Sequence, residues 1–92
     1  MSRRSDLGEL WENYLVMERI KKQEYLKIRS NNYFWRTYDQ KEIDWVEERE
    51  GKLFGYEFKW DGAAKPPKLW LQTYKEAYFE TIDSSNYLPF IT

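Results

Sequence analysis

The run from Lys52 to Trp60 alternates so regularly that it admits one local structure. Phe54, Tyr56, Phe58 and Trp60 occupy every second position, with Leu53, Gly55, Glu57 and Lys59 between them. Side chains of a strand point alternately to opposite faces, so the first set forms an uninterrupted aromatic face and belongs to a core. The second set begins apolar and ends in an acid and a lysine, so a charged pair emerges at one end of the strand. Glu50-Gly51 just before it reads as a tight turn, because glycine accepts the positive φ that short hairpins require. That makes Glu42 to Arg49 the antiparallel partner and carries Asp44 to the end of the hairpin where Glu57 and Lys59 lie.

The flanking segments complete a single domain over residues 1–92. Asp6-Leu7-Gly8-Glu9 fits a capping box, and Leu7, Leu10, Trp11, Tyr14 and Met17 repeat with helical spacing. These predict a long helix from Leu7 to Ile28, ended by Ser30-Asn31-Asn32, with Glu18 and Lys22 paired along it. Tyr33 to Tyr38 is aromatic-rich and predicts a first strand, turned into Glu42–Arg49 by Asp39-Gln40-Lys41. After the loop Asp61 to Pro67, a helix is expected from Lys68 to Ala77, with Leu69, Tyr74 and either Trp70 or Leu71 inward. Tyr78 to Ile82 reads as the last strand, with Ser84 or Ser85 capping a terminal turn. The order is helix, three-strand antiparallel meander, helix, strand. A strand that follows a crossover helix joins its sheet parallel, so the fold class is α/β.

Composition narrows the chemistry. The chain has neither cysteine nor histidine, which removes thiol nucleophiles, zinc–thiolate sites and imidazole bases. Hydrolysis here would have to run on carboxylates, lysine and a hard, oxygen-loving cation. Fifteen basic residues against sixteen acidic ones leave a net charge of −1, not the basic excess of a strongly electrostatic nucleic-acid binder, although a local basic patch remains compatible with it. No apolar run is long enough for a membrane span or a signal peptide, so a cytoplasmic protein is expected.

The pattern of Asp44 on the second strand, Glu57-x-Lys59 on the third and Glu12 on the first helix resembles the PD-(D/E)XK, or restriction-endonuclease-like, superfamily. Within it the chain is most similar to a C-terminal domain of unassigned function that follows AAA-type ATPase modules in bacteria and archaea. Leu10-Trp11-Glu12-Asn13-Tyr14, Tyr33-Phe34-Trp35-Arg36, Glu42-Ile43-Asp44 and Tyr56-Glu57-Phe58-Lys59-Trp60 carry that likeness. The resemblance implies a restriction-endonuclease-like core in which Asp44, Glu57 and Glu12 bind Mg²⁺ or Mn²⁺. It also implies that Lys59 serves the nucleophile or the transition state, with Glu12 as a second catalytic group. Nucleic acid, an ATPase module and a second copy of the chain are the partners it suggests. A Gly-rich phosphate loop is missing, so no ATP site is expected in these residues.

Each residue also has a plainer reading. Glu-x-Lys is a common surface ion pair, Asp44 could accept turn hydrogen bonds, and Glu12 could be a solvated helix residue. Arg3, Arg4, Lys21, Lys22, Lys27, Arg29, Lys65 and Lys68 could track phosphates or simply be solvated. Arg36 and Gln40 could meet a phosphate, and Arg36 could equally neutralise an acid. Trp35, Trp45, Trp60 and Trp70 could stack bases, but aromatics this dense usually pack a core or a dimer interface. The competing overall reading is a catalytically silent module that docks onto an ATPase or onto itself.

Overall fold

In a computed structural model of the chain, described over residues 3–36, 42–60, 65–74 and 76–92 (side chains from residue 7), four strands form one mixed sheet in the order β1-β2-β3-β4. The elements run α1 (Arg3–Tyr25), β1 (Asn31–Arg36), β2 (Glu42–Arg49), β3 (Lys52–Phe58), α2 (Lys68–Thr73), β4 (Tyr78–Ile82) and α3 (Leu88–Ile91). β1, β2 and β3 are an antiparallel meander, and β4 joins β3 parallel after α2. The expected order and the expected parallel join are both present. The Glu50-Gly51 turn has φ of 53° and 77° at its two residues, the conformation that matches the twist of a two-residue hairpin.

The sheet is covered on both faces. Trp11 and Leu15 of α1 and Phe90 of α3 pack on Trp45, Tyr56, Phe58 and Ile82. Trp70 of α2 packs on Ile43 and Val46 across the other face. The alternating aromatics of β3 behave as expected up to Phe58, whereas Trp60 lies beyond the strand and is half exposed. Gly55 opens the opposite face: a Cβ there would stand 3.0 Å from Trp70 Cζ2, so the indole lies almost directly on the backbone. That contact is why α2 buries Trp70 while Leu69 and Leu71 face outward, contrary to the expectation for Leu69.

Further expectations are corrected. α1 starts at Arg3, which puts Asp6 inside the helix and removes the capping box. Its C-terminus comes before Ile28: Ile28 N–H bonds Gln23 C=O at 2.8 Å and Lys27 N–H bonds Glu24 C=O at 3.2 Å. With Lys27 at φ 57°, this is a Schellman closure made without glycine, and it frees Asn31 and Asn32 to begin β1. The inward face of α1 is Trp11, Leu15, Arg19 and Gln23, while Leu7, Leu10, Tyr14 and Met17 are exposed. α2 is likewise shorter than expected and ends at Thr73. The predicted turn at Asp39 to Lys41, together with Tyr38, falls outside the described residues.

The polar half of α1 explains its phase. Glu47 is 0% exposed, and its carboxylate accepts from Arg19 Nε at 2.7 Å, Arg19 Nη2 at 2.9 Å, Gln23 Nε2 at 2.9 Å and Trp45 Nε1 at 2.9 Å. Arg49 Nε stands 3.1 Å from the same group. Burial opposes ionisation of Glu47, but the Arg19 hydrogen bonds and charge, followed by Trp45 and Arg49, outweigh it and hold the carboxyl below its ordinary range. Arg19 also donates to Phe90 C=O at 2.8 Å, so one guanidinium ties α1, β2 and α3 together. Glu18 pairs with Lys21 at 3.0 Å, and Lys22 donates instead to Pro89 C=O at 2.6 Å.

Candidate functional site

Asp44 sits at a break in strand alternation. Tyr33 pairs with Val46, but Trp35 pairs with Ile43. Phe34 alone therefore faces two residues, Asp44 and Trp45, which is a β-bulge. The bulge lets Ile43 and Val46 pack in one cluster while Trp45 packs in the other. It also frees Asp44 from the strict two-residue period.

On the other side of β2 the register is regular through Trp45↔Tyr56, and one more step sets Asp44 across from Glu57. Asp44 Oδ2 accepts the Phe58 N–H at 2.9 Å, replacing a ladder rung at the end of the hairpin. The next residue is pinned twice. Lys59 N–H donates to Ile82 C=O at 3.0 Å, and Lys59 C=O accepts from Trp11 Nε1 at 2.8 Å. Trp11 is wedged edge-on against Trp60 and Tyr87, with centroids 5.0 and 5.1 Å away. The Glu57-Phe58-Lys59 backbone is thus fixed from β2, β4 and α1 at once, and Glu12 follows Trp11 on the helix that fixes it.

The acids interact. Glu57 is half-buried, and its carboxyl is within hydrogen-bond reach of Asp44. Burial, then the Asp44 charge and that hydrogen bond, push the Glu57 carboxyl up to about 8, against the pull of the Lys59 charge. Glu12 is also raised, by burial first and then by Asp44, Glu42 and Glu9. Glu42 acts on both groups and was not singled out in the sequence. Its signal was present, since it opens the strand two residues before Asp44. Arg36 pairs with Glu42 at 2.9 Å on the surface, which is the neutralising role.

Asp44 and Glu57 are therefore in direct contact, while Glu12 and Lys59 lie within electrostatic range of that pair. Among the described residues, no group of three or more acids is disposed to hold a metal ion. The donor set at the Asp44–Glu57 pair is two carboxylates, one of them partly engaged by a backbone amide. Such a set fits a hard cation that keeps most of its waters, the ordinary habit of Mg²⁺.

The remaining candidates divide between core and surface. Trp45 and Trp70 are buried, and Trp35 packs edge-on to Trp70 at 5.6 Å, so these are core residues. Lys65 and Lys68 lead into α2, Gln40 lies outside the described residues, and the side chains of Arg3 and Arg4 do too. No helix among the described residues is long and apolar enough to cross a membrane.

A family model, that of the domain of unknown function DUF4143, matches residues 7–85. The chain belongs to that family. No curated protein and no solved structure matches it. The matched stretch includes Glu12, Asp44, Glu57 and Lys59, and the family's description assigns none of them a role.

Proposed function

We propose that this DUF4143 domain is a PD-(D/E)XK-type, restriction-endonuclease-like module of the kind that follows AAA-type ATPase modules, and that it acts on nucleic acid by metal-dependent phosphodiester cleavage. The observation that carries the reading is the contact between Asp44 and Glu57 at a bulge, with Lys59 two residues on, just past the end of β3. Two carboxylates held together in a half-buried place repel each other, and a proton on Glu57 is what relieves that repulsion in the free protein. A divalent cation relieves it better and, when bound, supplies positive charge to a phosphate and a more acidic water.

In this reading Asp44 and Glu57 hold Mg²⁺ or Mn²⁺. The Phe58 N–H fixes one oxygen of Asp44 and so limits how the carboxylate can turn. Lys59 is a donor without a lone pair when charged, so it serves the attacking oxygen or the charge that develops on phosphorus. Glu12, raised by burial and then by its acidic neighbours, orients the nucleophilic water or adds a ligand through water. Titrating Mn²⁺ by calorimetry into wild type, Asp44→Ala and Lys59→Ala tests these roles. Binding should disappear in Asp44→Ala and persist in Lys59→Ala. Equal binding by wild type and Asp44→Ala would refute the site.

A second reading, a catalytically silent docking or dimerisation module, is favoured by the outer face of α1. Leu7, Leu10, Tyr14 and Met17 line up there exposed, Leu10 by 66%, and a contiguous apolar face of that kind commonly meets a partner. An ATPase module or a second copy of the chain would be that partner.

A further inference from the structure

At the opposite end of the hairpin from Asp44 and Glu57, the C-terminus of α1 and the β2–β3 turn enclose a groove of about 690 Å³. Lys27, Arg29, Arg49 and Lys52 line it, with Glu50 as the acid among them and Phe54 as an aromatic wall. Lys27, Arg29 and Lys52 have no ion-pair partner among the described residues. Arg49 is held from two sides, its guanidinium carbon 3.9 Å from the Phe54 ring centroid and its Nε 3.1 Å from the Glu47 carboxylate.

The interior adds to this charge. Two guanidinium groups, Arg19 and Arg49, share the single carboxylate of Glu47. The network therefore carries one positive charge in excess. The Arg19 side chain is 6% exposed and that of Arg49 is 26% exposed, so the excess meets solvent mainly at Arg49, in the groove. Lys22 registers the same field: burial first, then the Arg19 and Arg49 charges, lower its affinity for a proton. A chain with a net charge of −1 thus concentrates unpaired cations at one end and acids at the other.

We infer that this groove binds the phosphodiester backbone of a nucleic acid. The inference deepens the proposed function by placing substrate contact away from the acidic pair. From Lys52 to Glu57 the strand rises roughly 17 Å at about 3.4 Å per residue, so a nucleic-acid strand that joins the groove to the acidic pair spans at least about five stacked nucleotides. A strand that crosses the sheet edge could then rest phosphates in the groove while a bond beyond it reaches Glu57 and Lys59.

The test is fluorescence anisotropy of a labelled oligonucleotide with the full chain in EDTA, so that neither metal nor cleavage enters. The variants are Lys27→Gly, Arg29→Ala and Lys52→Ala, singly and combined, with Lys68→Ala as a matched charge control. Lys27→Gly removes the charge where glycine suits the positive φ, so loss of binding there is not loss of fold. With three phosphates neutralised, wild-type affinity should fall about 20- to 40-fold between 50 and 200 mM salt. The triple variant should lose most of that salt dependence and Lys68→Ala none of it. Unchanged binding in the triple variant overturns the inference. So does an acidic polypeptide or inorganic phosphate that binds as tightly as the oligonucleotide. Groove-dependent binding without any Mn²⁺-dependent cleavage would uphold the groove and sink the nuclease reading, whereas cleavage indifferent to the groove residues would do the reverse.

Discussion

Replacing Glu47 by alanine should be among the most damaging single changes in the sheet. Glu47 is completely buried and takes four hydrogen bonds from Arg19, Gln23 and Trp45, with Arg49 beside it. Alanine leaves Arg19 charged and enclosed, and leaves the Gln23 amide and the Trp45 indole N–H without their acceptor. Breaking a buried pair from one side costs about 3–5 kcal/mol, because the remaining charge stays desolvated. In a domain of this size each 1 kcal/mol shifts Tm by about 4–8 °C, so a fall of roughly 12–40 °C is expected. Glu47→Ala, Arg19→Met and the double variant, compared by urea unfolding, separate charge from packing. The double variant should lose clearly less than the sum of the two single losses, since Arg19→Met removes the enclosed charge that Glu47→Ala alone orphans and leaves only the part-exposed Arg49 without its partner. If Glu47→Ala unfolds within 1 kcal/mol of wild type, the network is not what sets the phase of α1.

Phe58→Ala should cost about 3–5 kcal/mol in the same assay, as Phe58 is buried against Phe90 in the aromatic face; a smaller loss than 1 kcal/mol would put that face outside the core. Gly55→Ala should cost about 1–3 kcal/mol, because its Cβ would meet Trp70 Cζ2 at 3.0 Å and Ile43 Cδ1 at 3.4 Å; a neutral result would mean that α2 is free to move off the sheet. Glu57 ionises at about 8 in the fold against an ordinary 4.5, so the folded state holds its proton longer than the unfolded chain does. Stability from this group is therefore present below pH 4.5 and declines as pH rises towards about 8, by about 1–2 kcal/mol once solvent screening is allowed for. Thermal melts from pH 4.5 to 8 in EDTA, with Glu57→Gln for comparison, should show a steeper decline in wild type than in the variant, where only the raised Glu12 still contributes, and equal slopes would refute the raised ionisation.

Much of this architecture is legible in the residues. The aromatic alternation of β3, the glycine at Gly51 and the bounds of β2 and β4 all follow from a period of two and from turn chemistry. The helix phase is not, because counting apolar residues selects Leu7, Leu10, Tyr14 and Met17, while the buried stripe continues from Trp11 and Leu15 into Arg19 and Gln23. Polar side chains face inward there only because Glu47 waits on β2. The available clue was an acid set among Ile43, Trp45 and Val46, matched by polar residues at four-residue spacing on the helix. The bulge at Asp44 leaves no mark in a periodic pattern at all. Asp44 and Glu57 could be named from the Asp and Glu-x-Lys spacing, but their contact depends on a register and a bulge that appear only in three dimensions. Glu42 looks like an ordinary strand-opening acid in the sequence, and only the fold brings Glu12 and Glu57 into its field.

The most direct test of the proposed role is cleavage of branched, duplex and single-stranded DNA and RNA with Mg²⁺ or Mn²⁺, using wild type, Asp44→Ala and Lys59→Ala side by side. At least one substrate should be cut by wild type, only with metal present, and by neither variant. Failure of wild type to cut any of them, or cutting by Lys59→Ala at the wild-type rate, would contradict the account.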